Sequence, residues 1–422
     1  MLTVPIVFIF FAAIAFLGFI INALFYRFKI SSILPLMLIG FVVGPLLGIV
    51  NTGPGSIVSV MVPYVSGIAI AFILFDVGLN IEVKKLAGVF ARANAFTFVG
   101  AIVVGLALSL LAYYALGWNI LYALVFGFAV SGPSSVIVPT LMKLVKVKPE
   151  LKTVLIYEGV ATDIIQLMVP LTIIALIVNP VSNNYQLGGF LLTEVFGSIF
   201  LALVLAVLWL YVLNKYREQS KSYSWILTIS MVVATYGIAA GLDLSGAIAV
   251  FVFGMVFANT EHLQRAIKRG VLKRLTIGRG LLPIKDHQKQ IGFFTSTFFF
   301  VYIGMLFNIG NINLLLAGTA IMAVVVIVVL RYITSMMLNP YFSEKSSGAD
   351  RKMVYFDISR GLSPAIIATI PLALGINIPG FLDVVLLVIL FTNAVSTAGI
   401  MATYRSERMI KPNGSEDNGA QR

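Results

Sequence analysis

The stretch Tyr157-Glu158-Gly159-Val160-Ala161-Thr162-Asp163-Ile164-Ile165-Gln166 puts two carboxylates inside a run that is otherwise hydrophobic between Leu151 and Val178. A charged side chain at the centre of a membrane-spanning helix costs about 2.5–3.5 kcal/mol even on a lenient insertion scale, so such a group is paired or functional. Glu158, Asp163 and Arg360 lie nearest mid-depth in their runs, with Asp357 one helical turn before the arginine. On a helix advancing about 100° per residue, Glu158 and Asp163 point roughly 140° apart with about 7.5 Å of rise between them, and so cannot form a side-by-side dyad. Glu158 shares a face with Thr162, and Asp163 shares one with Gln166. One carboxylate is thereby free to pair with Arg360 from another helix while the other faces a water-filled cavity.

Two further stretches have the chemistry of an ion site. Ser131-Gly132-Pro133-Ser134-Ser135 and Arg360-Gly361-Leu362-Ser363-Pro364 each fall in the middle of an apolar run. Proline removes a backbone donor and glycine weakens the helix, which predicts a break in both runs. Freed carbonyls and facing half-helix dipoles form an ion-binding environment, and paired breaks in corresponding positions of two halves point to a transporter site.

The elements that must position these residues follow from composition. With 59% hydrophobic residues, 11% charged residues and a mean hydropathy of +1.01, the chain is a polytopic membrane protein rather than a soluble globule. Its apolar runs are long enough to cross a hydrocarbon core of about 30 Å as helices and too long for barrel strands, so the fold class is all-α. Thirteen spans are expected, at 2–25, 30–50, 57–79, 92–116, 119–142, 151–178, 188–213, 223–241, 244–259, 291–308, 312–338, 353–376 and 382–404. Spans 5 and 12 correspond if residues 2–178 and 223–404 are two six-helix repeats joined by a linker helix at 188–213, and an offset of seven makes the repeats inverted.

Charge placement supports that count. Loops after odd-numbered spans carry the cations, among them Arg27, Lys29, Lys84, Lys85, Lys143, Lys146, Lys215 and Arg217, whereas loops after even-numbered spans carry neither Lys nor Arg. By the positive-inside rule the N-terminus is outside and the C-terminus cytoplasmic, in a cell membrane. The net charge of +12 therefore reports topology, not nucleic-acid binding. The segment 259–290, which includes His262 and His287, reads as a cytoplasmic connector helix touching anionic headgroups, and 405–422 as a disordered tail. Asp76, Glu194 and Arg331 lie near span ends and are expected to reach an interface by snorkelling. Absence of cysteine excludes disulfides and thiolate metal sites, and no span holds a histidine, a Ser/His pair or HExxH, which argues against an enzyme.

In order along the chain, LMLIGFVVGPLLGI at 36–49, FILFDVGLNIEVKKL at 72–86, the E-x-x-x-x-D of Glu158 and Asp163, FFFVYIGMLFN at 298–308 and SRGLSPA at 359–365 resemble the cation/proton antiporter superfamily, and within it the NhaP-type sodium/proton antiporters. The resemblance implies a homodimer, a dimerisation domain and a moving core domain containing spans 5, 6, 12 and 13. It implies that Asp163 alternately binds a proton or a monovalent cation, and that Glu158 forms a structural ion pair with Arg360. Two positions depart from the family's pattern: Thr162 stands where Asn or Asp is usual, and Ser131-Gly132-Pro133 where Thr-Asp-Pro is usual.

The expected mechanism is exchange of Na+ for H+ with both ions competing at Asp163, the cation's oxygen shell being completed by Thr162, Ser131 and Glu158 or water. A single anion carrying either one proton or one cation moves equal charge in both directions, so the exchange is electroneutral. No bound cofactor is expected beyond the transported Na+, Li+ or K+ and H+. Exchange of K+ for H+ on the same fold is the nearest alternative. A cation channel is a remote one, since it needs a continuous pore and rings of carboxylates.

Overall fold

A computed structural model of the chain describes residues 4–28, 33–52, 55–80, 91–135, 137–138, 148–178, 189, 191–216, 223–260, 281–307, 310, 313–341 and 348–410. His262, the connector residues 261–280 and the tail beyond 410 lie outside the described residues, whereas 405–410, expected to begin the disordered tail, continue the last helix. Fourteen helices of nine residues or more are described: α1 (Val4–Phe28), α2 (Ile33–Phe41), α3 (Val62–Leu79), α4 (Ala91–Leu116), α5 (Ile120–Ala129), α6 (Pro149–Val178), α7 (Gly197–Lys215), α8 (Ser224–Gly241), α9 (Gly246–Ala258), α10 (Leu281–Leu306), α11 (Leu314–Ser335), α12 (Gly348–Phe356), α13 (Leu362–Ala373) and α14 (Phe381–Ile410). The fold is all-α, as the composition requires.

Six described helices are long and apolar enough to cross a membrane, and seven shorter apolar helices accompany them. Each of these thirteen coincides with one expected span, reaching past its expected end by at most two residues. The shorter members include the half-helices Ile120–Ala129 and Leu362–Ala373, which stop or start at the expected breaks in spans 5 and 12. Of the connector expected at 259–290, residues 281–290 form the first part of α10, where the ring of His287 stacks on Trp225 at 5.0 Å.

Helix starts follow local chemistry. Asn119 accepts from the Leu121 amide ahead of α5, Ser245 from Ile248 ahead of α9, and Asn313 from Leu316 ahead of α11, each giving a first-turn donor the partner that it lacks within the helix. Large apolar side chains remain exposed along the outside, such as Phe16 and Phe19 of α1, Phe200 and Leu208 of α7, and Ile321 and Val325 of α11. In a protein whose solvent is lipid these are the ordinary outer surface.

Packing assigns two neighbourhoods. α3 lies against α9, where Phe75 meets Phe253 and Phe257, and α2 lies against α10. α4, α5, α6, α11, α13 and α14 pack around the two breaks: α5 contacts α4 and α6, α13 contacts α6 and α14, and α11 contacts α4 and α14. The carboxylates of α6 thus sit where both broken spans converge.

Candidate ion-binding site

The two breaks meet through their backbones. The Ser134 amide in the first donates to the Ser359 carbonyl in the second at 2.9 Å, so each break satisfies a polar group exposed by the other. Such an approach requires glycine. A Cβ at Gly361 would lie 2.1 Å from Ser134 Oγ, and one at Gly132 would lie 2.3 Å from Thr162 Cβ. Pro364 falls in the first turn of α13, where a helix makes no intrahelical use of the backbone N–H, so it supports the restart of the helix after the break.

Asp163, 5% exposed, points to this crossing. Its carboxylate accepts from Ser363 Oγ at 2.8 Å, in the first turn of α13, and from the side chain and backbone of Ser135 in the break after α5. These partners are neutral hydroxyl and amide donors.

Glu158 has a different setting. Arg331 of α11 grips it with both terminal nitrogens, Nη1 to Oε1 and Nη2 to Oε2, the latter at 2.9 Å. The same guanidinium donates Nε to the Val354 carbonyl at 2.8 Å, reaches Asp357 Oδ2 at 3.5 Å and lies 5.0 Å from the centre of the Phe96 ring. A bidentate pair of this kind is what makes burial of both charges tolerable.

The expected pairing of Glu158 with Arg360 is therefore replaced by pairing with Arg331. Arg360 is turned toward the end of α5, donating Nε to Val130 O at 2.7 Å and Nη1 to Ile358 O at 3.0 Å, with Nη2 3.5 Å from Ser131 O. The physical reason is the break itself: α5 stops at Ala129, leaving carbonyls without intrahelical donors at the negative end of a helix dipole, and a guanidinium supplies donors and charge together. Arg331, expected to snorkel to an interface, is instead 6% exposed and committed to Glu158.

Among the other expected ligands, Thr162 Oγ1 donates to Glu158 O at 2.9 Å and approaches the carbonyls of Gly159 and Pro133, while Ser131 Oγ donates to Phe128 O at 2.9 Å. Both line a cavity of about 20 Å³ together with Glu158, Arg331, Asp357 and Arg360. That volume admits roughly one water molecule. Asp163 is not among the residues lining it, so the expected set divides between the cavity and the Asp163 contacts.

This arrangement sits within a region that matches a known family. The transmembrane sodium/hydrogen exchanger family matches residues 11–403 of the chain. The chain belongs to the sodium/hydrogen exchanger family. Members of this family are transporters and not enzymes. A relative in Escherichia coli strain K12, named "Putative cation/proton antiporter YbaL", is 25% identical over 311 residues, which cover 69% of this chain and 50% of the relative. The chain thus spans about half the length of that curated relative. Two solved structures of the sodium proton antiporter MjNhaP1 from Methanocaldococcus jannaschii share its fold. The one described at pH 8 has a TM-score of 0.64 and 15% identity, covering 95% of this chain and 96% of that one. The other, an electron-microscopy structure, has a TM-score of 0.63 and 17% identity, covering 96% and 97%.

Three features of this arrangement escape a reading of the sequence. Ser135 of the first break and Ser363 of α13 are two hydroxyls in a chain that holds many, and only the crossing shows that they converge on Asp163. Arg331 lies near the end of its span, where a cation is ordinarily unremarkable. The third is Asn393 of α14, which donates to the Arg360 carbonyl at 2.6 Å and so ties the second break to the last helix.

Proposed function

We propose that the chain is a secondary active antiporter that exchanges Na+ for H+ one for one, with proton and cation competing at Asp163. The observation that carries this reading is the charge balance at the crossing. Three buried carboxylates, Glu158, Asp163 and Asp357, face two buried guanidinium groups, Arg331 and Arg360. Arg331 holds Glu158 and reaches Asp357, whereas the partners of Asp163 carry no charge. An ionised carboxylate so buried is costly without a counter-charge, so this position favours taking up a single positive charge. A proton and a hard monovalent cation both meet that demand, and occupancy by one excludes the other.

Alternation follows from the broken spans. A site formed where two half-helices cross opens to either side through a small rocking motion of the helices around it. Every reloading replaces one unit of positive charge by another, so membrane potential does no net work on the cycle. The N-out, C-in topology, the inverted repeats and the homodimer belong to the same proposal. The first is supported by the alternation of cations along the loops, and the others by the family resemblance.

Exchange of K+ for H+ is a second reading, favoured by Ser131-Gly132-Pro133, which leaves the first break without a carboxylate of its own. The test is the purified protein in liposomes with an imposed pH gradient, read by a pH-sensitive dye on addition of Na+, Li+ or K+ in turn. Dissipation by Na+ and Li+ supports the proposal, dissipation by K+ alone transfers it to the second reading, and cation flux without counter-movement of protons contradicts antiport.

A further inference from the structure

We infer that Gln166 is a cation ligand that separates the transported metal ion from the proton, an inference that rests on the antiport reading above. Gln166 lies on the face of α6 that carries Asp163, three residues earlier, and Thr162, four residues earlier. It is 1% exposed, and neither its Oε1 nor its Nε2 has a hydrogen-bond partner among the described residues. Buried side-chain amides almost always find one. Its amide is directed at the first break: a Cβ at Gly132 would come within 2.9 Å of Nε2. No described helix packed against α6 supplies it with a donor or acceptor.

An amide fits a specific chemical need. A hard monovalent cation binds through several oxygens, and Asp163 supplies only part of such a shell. The carbonyl oxygen of Gln166 adds a neutral ligand on the same helix face without disturbing the charge balance. A proton makes no comparable demand, because one covalent O–H bond on Asp163 satisfies it. Gln166 therefore strengthens the cation-loaded state selectively, whereas Asp163 serves both. Between the two possible amide orientations, the ligating one places Oε1 toward the ion.

The experiment compares wild type with Gln166→Met, which keeps the length and lacks the oxygen ligand, in liposomes loaded with a pH dye and titrated with Na+, Li+ and K+. Loss of a ligand should raise the apparent KM for Na+ about tenfold or more, leave the maximal rate at saturating cation close to wild type, and alter the order of preference among the three ions. Stabilisation of the detergent-purified protein by Na+ should weaken in parallel, while its thermal midpoint without added cation stays the same or rises. Gln166→Asn retains an amide one methylene shorter and provides the second variant should the methionine variant not fold; it should shift the ion preference with a smaller change in KM. An unchanged KM and ion order in a variant that still exchanges overturns the inference while leaving antiport intact, and so does a fall in maximal rate with KM unchanged. If wild type moves no protons in response to any of the three cations, the antiport reading fails and this inference fails with it.

Discussion

Arg331 holds Glu158 through both guanidinium nitrogens, and the pair is buried on both sides, with Glu158 4% and Arg331 6% exposed. α11 and α6 are therefore joined at the level of the crossing by an ion pair that also steadies Asp357. This pair neutralises one carboxylate of YEGVATDIIQ and leaves the other, Asp163, with uncharged partners.

Removing one side of the pair leaves a buried charge. Arg331→Ala should destabilise the protein by about 3–5 kcal/mol, seen as a large fall in the thermal midpoint of the detergent-purified protein. Glu158→Gln combined with Arg331→Met should lose less than the sum of the single variants, because neither then strands a charge. Additive losses would show that the two residues stabilise the fold independently.

Arg360 acts on the backbone and should respond to a different substitution. Arg360→Lys keeps the charge but cannot serve Val130 and Ile358 together through a planar fork. We expect folded protein with a markedly reduced exchange rate and a stability loss of about 1.5–3 kcal/mol for a charged hydrogen bond removed. Wild-type stability and exchange in this variant would show that the capped carbonyls are unimportant.

Much of this site can be read in the chain, for a definite reason. Charges and Gly-Pro breaks are conspicuous in lipid-spanning runs because both carry a free-energy penalty there, so Glu158, Asp163, Arg360 and the stretches 131–135 and 360–364 stand out before any fold is known. Partner choice does not follow from the same logic. Whether Glu158 meets Arg331 or Arg360 depends on the rotation of α11 against α4 and on where α5 stops, and both are decided by packing among three or more helices. Ser135 and Ser363 are hidden for another reason: hydroxyls ordinarily satisfy themselves on their own helix, as Ser109 does with Gly105. Helix count was readable because the loops record it in their cations.

Close approach at the crossing is also testable. Gly361→Ala would put a methyl group 2.1 Å from Ser134 Oγ, and the Ser134–Ser359 backbone bond must shift to admit it. Overpacking of this type costs about 1–3 kcal/mol, and exchange should fall more than stability does because the two breaks move apart. Exchange at the wild-type rate would mean that the breaks need not touch.

Ser363 sets how well the ionised carboxylate is held. Ser363→Ala removes a donor to Asp163 Oδ1 at 2.8 Å and disfavours the ionised form that the cation requires. At fixed pH the apparent KM for Na+ should rise about tenfold, the effect of one lost hydrogen bond of about 1.5 kcal/mol. An unchanged KM in a folded variant would remove Ser363 from the site.

The central claim is that Asp163 carries either ion. The direct measurement is Na+-driven dissipation of a pH gradient in liposomes containing Asp163→Asn beside wild type, with the fold of the variant checked by its thermal midpoint and its elution as a single species. The account predicts a folded variant with no cation-dependent proton movement, because an amide neither exchanges a proton in this range nor supplies the charge that the cation requires. Sustained exchange by Asp163→Asn would contradict it and move the exchanging group to another carboxylate of the crossing.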